Sequence, residues 1–189
     1  MSVSTNLFLV AALLGCFVTA GCSQEPKSAT GHVATIKLTS AAFADGQPIP
    51  VKYTGDALDI SPPLAWTNAP AAAKSYALIA DDPDAPAGSW VHWVIYDLPP
   101  STKSLGEDQS KVSQFKNGAK QGLNDFKKTG YNGPAPPPGK AHRYYFKLYA
   151  LDKASGLPVN ATKADLFKAM DGHLLGKGEL MGTYQRQQQ

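Results

Sequence analysis

The chain predicts a mainly β domain, an antiparallel two-sheet sandwich with long proline-rich loops and one or two short helices towards the C-terminus. Three observations point there. Several β-branched and aromatic runs stop abruptly at Asp or Pro, as strands do at turns. Pro (15) and Gly (17) are plentiful, which a turn-rich β architecture explains. Only one segment carries a convincing helix signature, whereas a parallel βαβ fold needs crossover helices. At 189 residues one domain is the expectation and two small ones the outer limit. Hydrophobic residues make up 43% and charged residues 17%, which excludes a disordered chain, a coiled coil and a collagen-like fibre.

Taken in order, Leu7 to Ala20 is an apolar run of 14 residues without a charge. A helix of that length rises roughly 21 Å, short of a hydrocarbon core of about 30 Å. It suits the apolar region of a secretory signal. Small residues and a cysteine follow, Thr19-Ala20-Gly21-Cys22, which resembles the bacterial lipobox. That resemblance implies a signal peptide over residues 1–21, a lipidated Cys22 and a membrane anchored through acyl chains rather than a span. Ordinary secretion and a cytosolic chain are the alternatives. Cys16 and Cys22 are the only cysteines, so nothing after residue 22 can form a disulfide. Residues 22–31 are polar, with Pro and Gly, and read as a tether. One domain then fills residues 32–189.

Within the domain, Val33–Leu38 is a weak strand candidate and Tyr76–Ala80 a short apolar one ending at Asp81 and Asp82. Val91–Leu98 is β-branched and aromatic and is stopped by Pro99-Pro100. His142–Leu151 alternates, with Tyr144, Phe146, Leu148 and Ala150 on one face. The helix begins at a Thr162 cap with Asp165 in the capping-box position, and Leu166, Met170 and Leu174 recur along it. Gly172 or Gly176 ends it, and Glu179–Tyr184 is a possible last strand. Residues 44–70 and 101–141 are long irregular loops, more often functional than idle.

Charge says little about a large partner. The net charge is +3 with no dense basic run, and the lysines between Lys116 and Lys128 are dispersed, so nucleic-acid binding is not expected.

Three polar clusters stand at strand ends. Asp82-Pro83-Asp84-Ala85-Pro86 is stiffened by its prolines and holds the Asp82 carboxylate in a fixed direction. An Asx turn closing the strand is the plain alternative. In Trp90-Val91-His92-Trp93, period two groups His92 with Trp90, Val94 and Tyr96. A lone histidine there is most often a hydrogen-bonded core residue. In Gly139-Lys140-Ala141-His142-Arg143-Tyr144, His142 and Tyr144 share a face while Arg143 points away. Here the plain alternative is a packed histidine and an arginine paired with an acid for structural reasons.

Together the clusters are specific. Asp-Pro-Asp-Ala-Pro, a Trp-x-His shortly after it and Gly-x-x-His-Arg-Tyr at the head of a later strand resemble the phosphatidylethanolamine-binding protein family, in its bacterial Raf-kinase-inhibitor-like branch. Ile60-Ser61-Pro62-Pro63-Leu64-Ala65-Trp66, Asn124-Asp125-Phe126, Tyr131-Asn132-Gly133-Pro134 and Gly182-Thr183-Tyr184-Gln185-Arg186 support it. The resemblance implies a β-sandwich with a small cavity for phosphate, acetate or a phospholipid head group. Asp82, Pro86, Trp90, His92, Gly133, Pro134, His142 and Tyr144 would line it.

Two imidazoles near an acid suit an anion, since each can donate N–H bonds once protonated. Phosphate affinity is then expected to fall as pH rises through roughly 6.5 to 7.5. The expected function is non-enzymatic binding of a small anion or head group by a membrane-tethered protein of the bacterial cell envelope. A regulator of a protein kinase or protease, acting through the pocket rim, is the alternative. An enzyme is a third reading, but the chain lacks Gly-x-Ser-x-Gly and His-Glu-x-x-His. No catalytic residue, metal or cofactor is expected.

Overall fold

The structure, a computed structural model, describes Met1 and residues 24–186. The signal segment, Cys16 and Cys22 lie outside the described residues. Nine strands form two sheets. The strands are β1 (Ala34–Thr35), β2 (Lys37–Thr39), β3 (Leu64–Thr67), β4 (Ser75–Asp82), β5 (Trp90–Leu98), β6 (Ser104–Leu105), β7 (Lys120–Gln121), β8 (His142–Leu151) and β9 (Leu174–Tyr184). The larger sheet runs β1-β9-β8-β4-β5-β7 and the smaller β2-β3-β6. Pairing is antiparallel throughout except for β1 on β9. The mainly β sandwich read from the sequence is the fold.

Alternation decides what each face of the large sheet meets. Tyr76, Leu78, Ile95, Trp93, Phe146 and Leu148 face the small sheet, where Leu38, Leu64 and Trp66 close the main core. Ala77, Ile79, Val94, Tyr96 and Tyr149 face outwards and are covered by α1 (Lys163–Met170), which contributes Leu166, Phe167 and Met170. The helix starts as expected. Thr162 accepts from the Asp165 amide while the Asp165 carboxylate accepts from the Thr162 amide, a complete capping box. The one further helix among the described residues is a 3₁₀ turn at Val51–Tyr53.

Two expectations need correction. Gly172, left-handed at φ 77° just past the Asp171 C-cap, ends the helix as one of the two expected stops, so Leu174 is the first residue of β9 rather than part of a helical stripe. The last strand is accordingly much longer than Glu179–Tyr184. Its glycines hide it, and the structure explains them. A Cβ at Gly178 would sit 2.6 Å from the Ile36 carbonyl oxygen, so a side chain is excluded where the N-terminal strands cross β9.

The stretch read as a tether is laid against the domain from residue 24 on. The Lys27 amide donates to Asp171 Oδ1 at 3.0 Å and the Ala29 amide to the Leu174 carbonyl at 2.9 Å. Glu25 accepts from Lys177 at 3.0 Å and from the Tyr149 hydroxyl at 3.1 Å. Among the described residues, no helix is long and apolar enough to cross a membrane.

Candidate functional site

Asp82 ends β4, and both of its carboxylate oxygens are committed. Oδ1 accepts the Asp84 amide at 2.8 Å, which is the Asx turn that closes the strand. Oδ2 accepts Nδ1–H of His142 at 2.8 Å from the head of the neighbouring strand. The turn and the directed carboxylate are therefore one arrangement. Asp82 is 3% and His142 6% exposed, so this is a buried pair with little competition from water.

Arg143, on the opposite face, forks onto Asp84, with Nε to Oδ2 at 2.9 Å and Nη2 to Oδ1 at 2.7 Å. Hydrogen bonds from Arg143 hold the Asp84 carboxyl well below the usual carboxylate range. Its pairing fixes the turn against β8 and so serves the cavity indirectly.

His92 reaches the site by a route that simple alternation misses. Ala80 pairs with Trp93 but Asp81 pairs with Val91, so His92 is the extra residue of a β-bulge. A bulge shifts the facing of everything on one side of it. His92 is thereby turned from the face of Val94 and Tyr96, which pack under α1, onto the face of Tyr144. The two rings meet edge to face, with centroids 5.2 Å apart.

His92 Nδ1 lies 2.6 Å from the Asn132 carbonyl oxygen. A carbonyl can only accept, so Nδ1 carries the hydrogen. Burial pushes the His92 imidazole below its ordinary pKa, against the opposing effects of the Asn132 carbonyl and the Asp82 charge. The expectation of two imidazoles poised alike is corrected for His92, whose burial favours the neutral form.

Tyr144 is buried and its hydroxyl has no hydrogen-bond partner among the described residues. Burial, then the nearby Asp82 charge, push its phenol far above the ordinary value, so it stays a donor.

These groups line a cavity of about 290 Å³. Asp82, His92, His142 and Tyr144 supply its polar part; Ala85, Pro86, Ala87, Trp90, Phe126, Ala135, Pro136 and Pro137 form apolar walls. Gly133 and Pro134 do not line it. Gly133 is a spacer instead: a Cβ there would sit 2.2 Å from the Tyr53 carbonyl oxygen. Pro134 accepts the Gly55 amide at 2.8 Å. The wall is made by the next three residues.

Phe126, Ala135, Pro136 and Pro137 went unassigned as lining, although Asn124-Asp125-Phe126 stood out as a motif. Asn124 and Asp125 build the turn beneath Phe126. The Asn124 side chain donates to the Gly130 carbonyl at 3.0 Å and Asn132 Oδ1 at 2.9 Å, and Asp125 Oδ2 accepts the Val91 amide at 2.7 Å. Phe126 then packs edge-on against Trp90 and His92 at 5.5 and 5.4 Å. Among the described residues, no group of three or more His, Cys, Asp or Glu is placed to hold a metal ion.

Known proteins share this architecture. The profile of the family described as phosphatidylethanolamine-binding protein matches residues 39–185. A UPF0098 protein of Methanothermobacter thermautotrophicus is 48% identical over 151 residues, covering 80% of this chain and 99% of its own. Among solved structures, CT736 of Chlamydia trachomatis, described as a phosphatidylethanolamine-binding protein homolog, is similar with a TM-score of 0.74. It is 44% identical, and the match covers 81% of this chain and 99% of that one. Escherichia coli YbcL, described as a member of the mammalian family, also gives 0.74 at 29% identity, covering 82% and 100%. With the matched profile running from the end of β2 through β9 and relatives aligned almost end to end, the chain belongs to the phosphatidylethanolamine-binding protein family.

Proposed function

We propose that the cavity binds, without chemical turnover, a small anionic ligand: a phosphate, a carboxylate or the phosphoryl head group of a phospholipid. The observation that carries this is the buried, partnerless Tyr144 hydroxyl facing the same hollow as His142, whose imidazole is oriented by Asp82. A buried donor without a partner costs stability, and an oxyanion supplies what it lacks. Asp82 also offsets the charge of a protonated His142, whose Nε2–H then becomes a second donor. The apolar walls favour an ester with a hydrocarbon or aromatic part over bare phosphate. The lining offers bases but no serine, threonine or cysteine beside them to act as nucleophile.

Native mass spectrometry of the purified domain after addition of phenyl phosphate tests this. One ligand per chain is expected for the wild type, and loss of the adduct in His142→Ala. A wild type that takes up neither phosphate nor carboxylate probes overturns the reading. The same proposal places the protein in the cell envelope, anchored through Cys22. Radiolabelled palmitate should enter the wild type and not Cys22→Ala; equal absence from both sinks the anchor.

A further inference from the structure

The polar groups of the cavity form an inventory that a ligand must match. His92 Nδ1 is committed as a donor to the Asn132 carbonyl at 2.6 Å. Its Nε2 therefore bears a lone pair, and no protein group among the described residues donates to it. The ring lines the cavity and is 4% exposed. A positive charge on it would need a free counter-ion, and the surrounding carboxylates are occupied.

From β4, Asp82 holds His142 at 2.8 Å, while Asp81, on the opposite face, is paired with Lys147 and Lys163. Behind Asn132, Asp59 is bonded to Lys111 at 3.0 Å and to the Asn132 side chain at 2.9 Å. Beneath the strand, Asp125 accepts the Val91 amide at 2.7 Å. From β8 come only His142 and the Tyr144 phenol, and the Phe126 and Trp90 rings close the remaining side.

A fully ionised oxyanion presents acceptors alone, and one of them would meet the Nε2 lone pair. A phosphate monoester in its monoanionic form carries a P–OH, which is the missing donor. We infer that the cavity selects the monoprotonated form of a phosphate monoester, its P–OH donating to His92 Nε2. The remaining oxygens accept from the Tyr144 hydroxyl and, when His142 is protonated against Asp82, from its Nε2–H. A sulfate monoester has the same charge and nearly the same shape but no proton, so the site discriminates against it. The inference rests on the anion-binding reading above and adds which phosphoryl species the site takes.

Titration calorimetry of the wild-type protein with phenyl phosphate and phenyl sulfate at pH 5.5 and 7.5 tests it. At pH 5.5 both are chiefly monoanions, since the second ionisation of a phosphate monoester lies near about 6. The affinity ratio cancels any protein titration that affects both esters equally, leaving the proton on the ligand as the difference between them. Phenyl phosphate should bind at least about tenfold more tightly than phenyl sulfate at pH 5.5, a hydrogen-bond-sized difference. The ratio should then shrink by about tenfold or more at pH 7.5, where the dianion dominates. Comparable affinities at both pH values, or a ratio that grows with pH, overturn the inference while leaving an anion site in place. Failure of both esters to bind at either pH overturns the anion-binding reading itself.

Discussion

Tyr144 buries a phenol that no group among the described residues satisfies, so removing its oxygen should separate folding from binding. In Tyr144→Phe the unliganded domain is expected to keep its stability within about 1 kcal/mol, or gain slightly, because an unsatisfied polar atom is lost. Affinity for phenyl phosphate should fall about tenfold. Urea unfolding and calorimetry on the same preparation check both. A large loss of stability would mean the hydroxyl has a structural partner.

His92 gives a second prediction at this scale. Its folded pKa lies below the ordinary value because of burial. On acidification below roughly pH 6.5 the unfolded chain takes up a proton there that the folded chain resists, so stability falls with falling pH. Replacing His92 with Gln should flatten that limb between pH 7 and 5 in urea midpoints; an unchanged slope would place the titration elsewhere. Asp82, His92, His142 and Tyr144 were legible because their side chains form local motifs. Asn132 acts on His92 through its backbone carbonyl, and Pro136 and Pro137 through where a long loop folds back. Neither leaves a pattern in side-chain spacing.

Among the elements, β5 and β9 show what alternation can and cannot reveal. Val91–Leu98 was readable as a strand, but the facing of His92 was not. One bulge residue reverses parity, and nothing in Trp90-Val91-His92-Trp93 announces it. In β9 the strand itself was half hidden, because Gly176, Gly178 and Gly182 weaken every local signal for one. Their reason is the layer that crosses them. Gly178→Ala should therefore destabilise the domain by about 1–3 kcal/mol, because the Ile36 backbone at 2.6 Å cannot yield as a side chain could. Thermal and urea unfolding would show it, and a neutral outcome would mean that β2 and β9 pack less closely. The capping box of α1 was fully legible, since Thr162 and Asp165 satisfy each other's backbone within one turn. Thr162→Ala is expected to cost about 1 kcal/mol by the same measurement.

For the whole molecule, the N-terminal strap and the cavity lie apart. Ser28 bridges to Leu174, which pairs with Leu151 at the far end of β8 from His142. That is roughly 30 Å at strand rise. A chain beginning at Ser28 loses Glu25 and its pairs with Lys177 and the Tyr149 hydroxyl. It should be less stable by about 1 kcal/mol, as partly exposed ion pairs allow, with phenyl phosphate affinity unchanged. A parallel loss of affinity would show that the strap and the pocket communicate. The fold class itself was legible from composition, turn residues and the single helix. The strap was not, because its contacts are backbone amides and one glutamate in a polar stretch.

The pairing of Ala34 with Gly176 and of Ser28 with Leu174 joins the first described segment of the domain to its last strand. Until β9 is in place, β1 has no partner strand and the β8 margin of the larger sheet stays open. Contacts so distant in sequence slow assembly, and the waiting intermediate exposes an adhesive strand margin that invites pairing between copies.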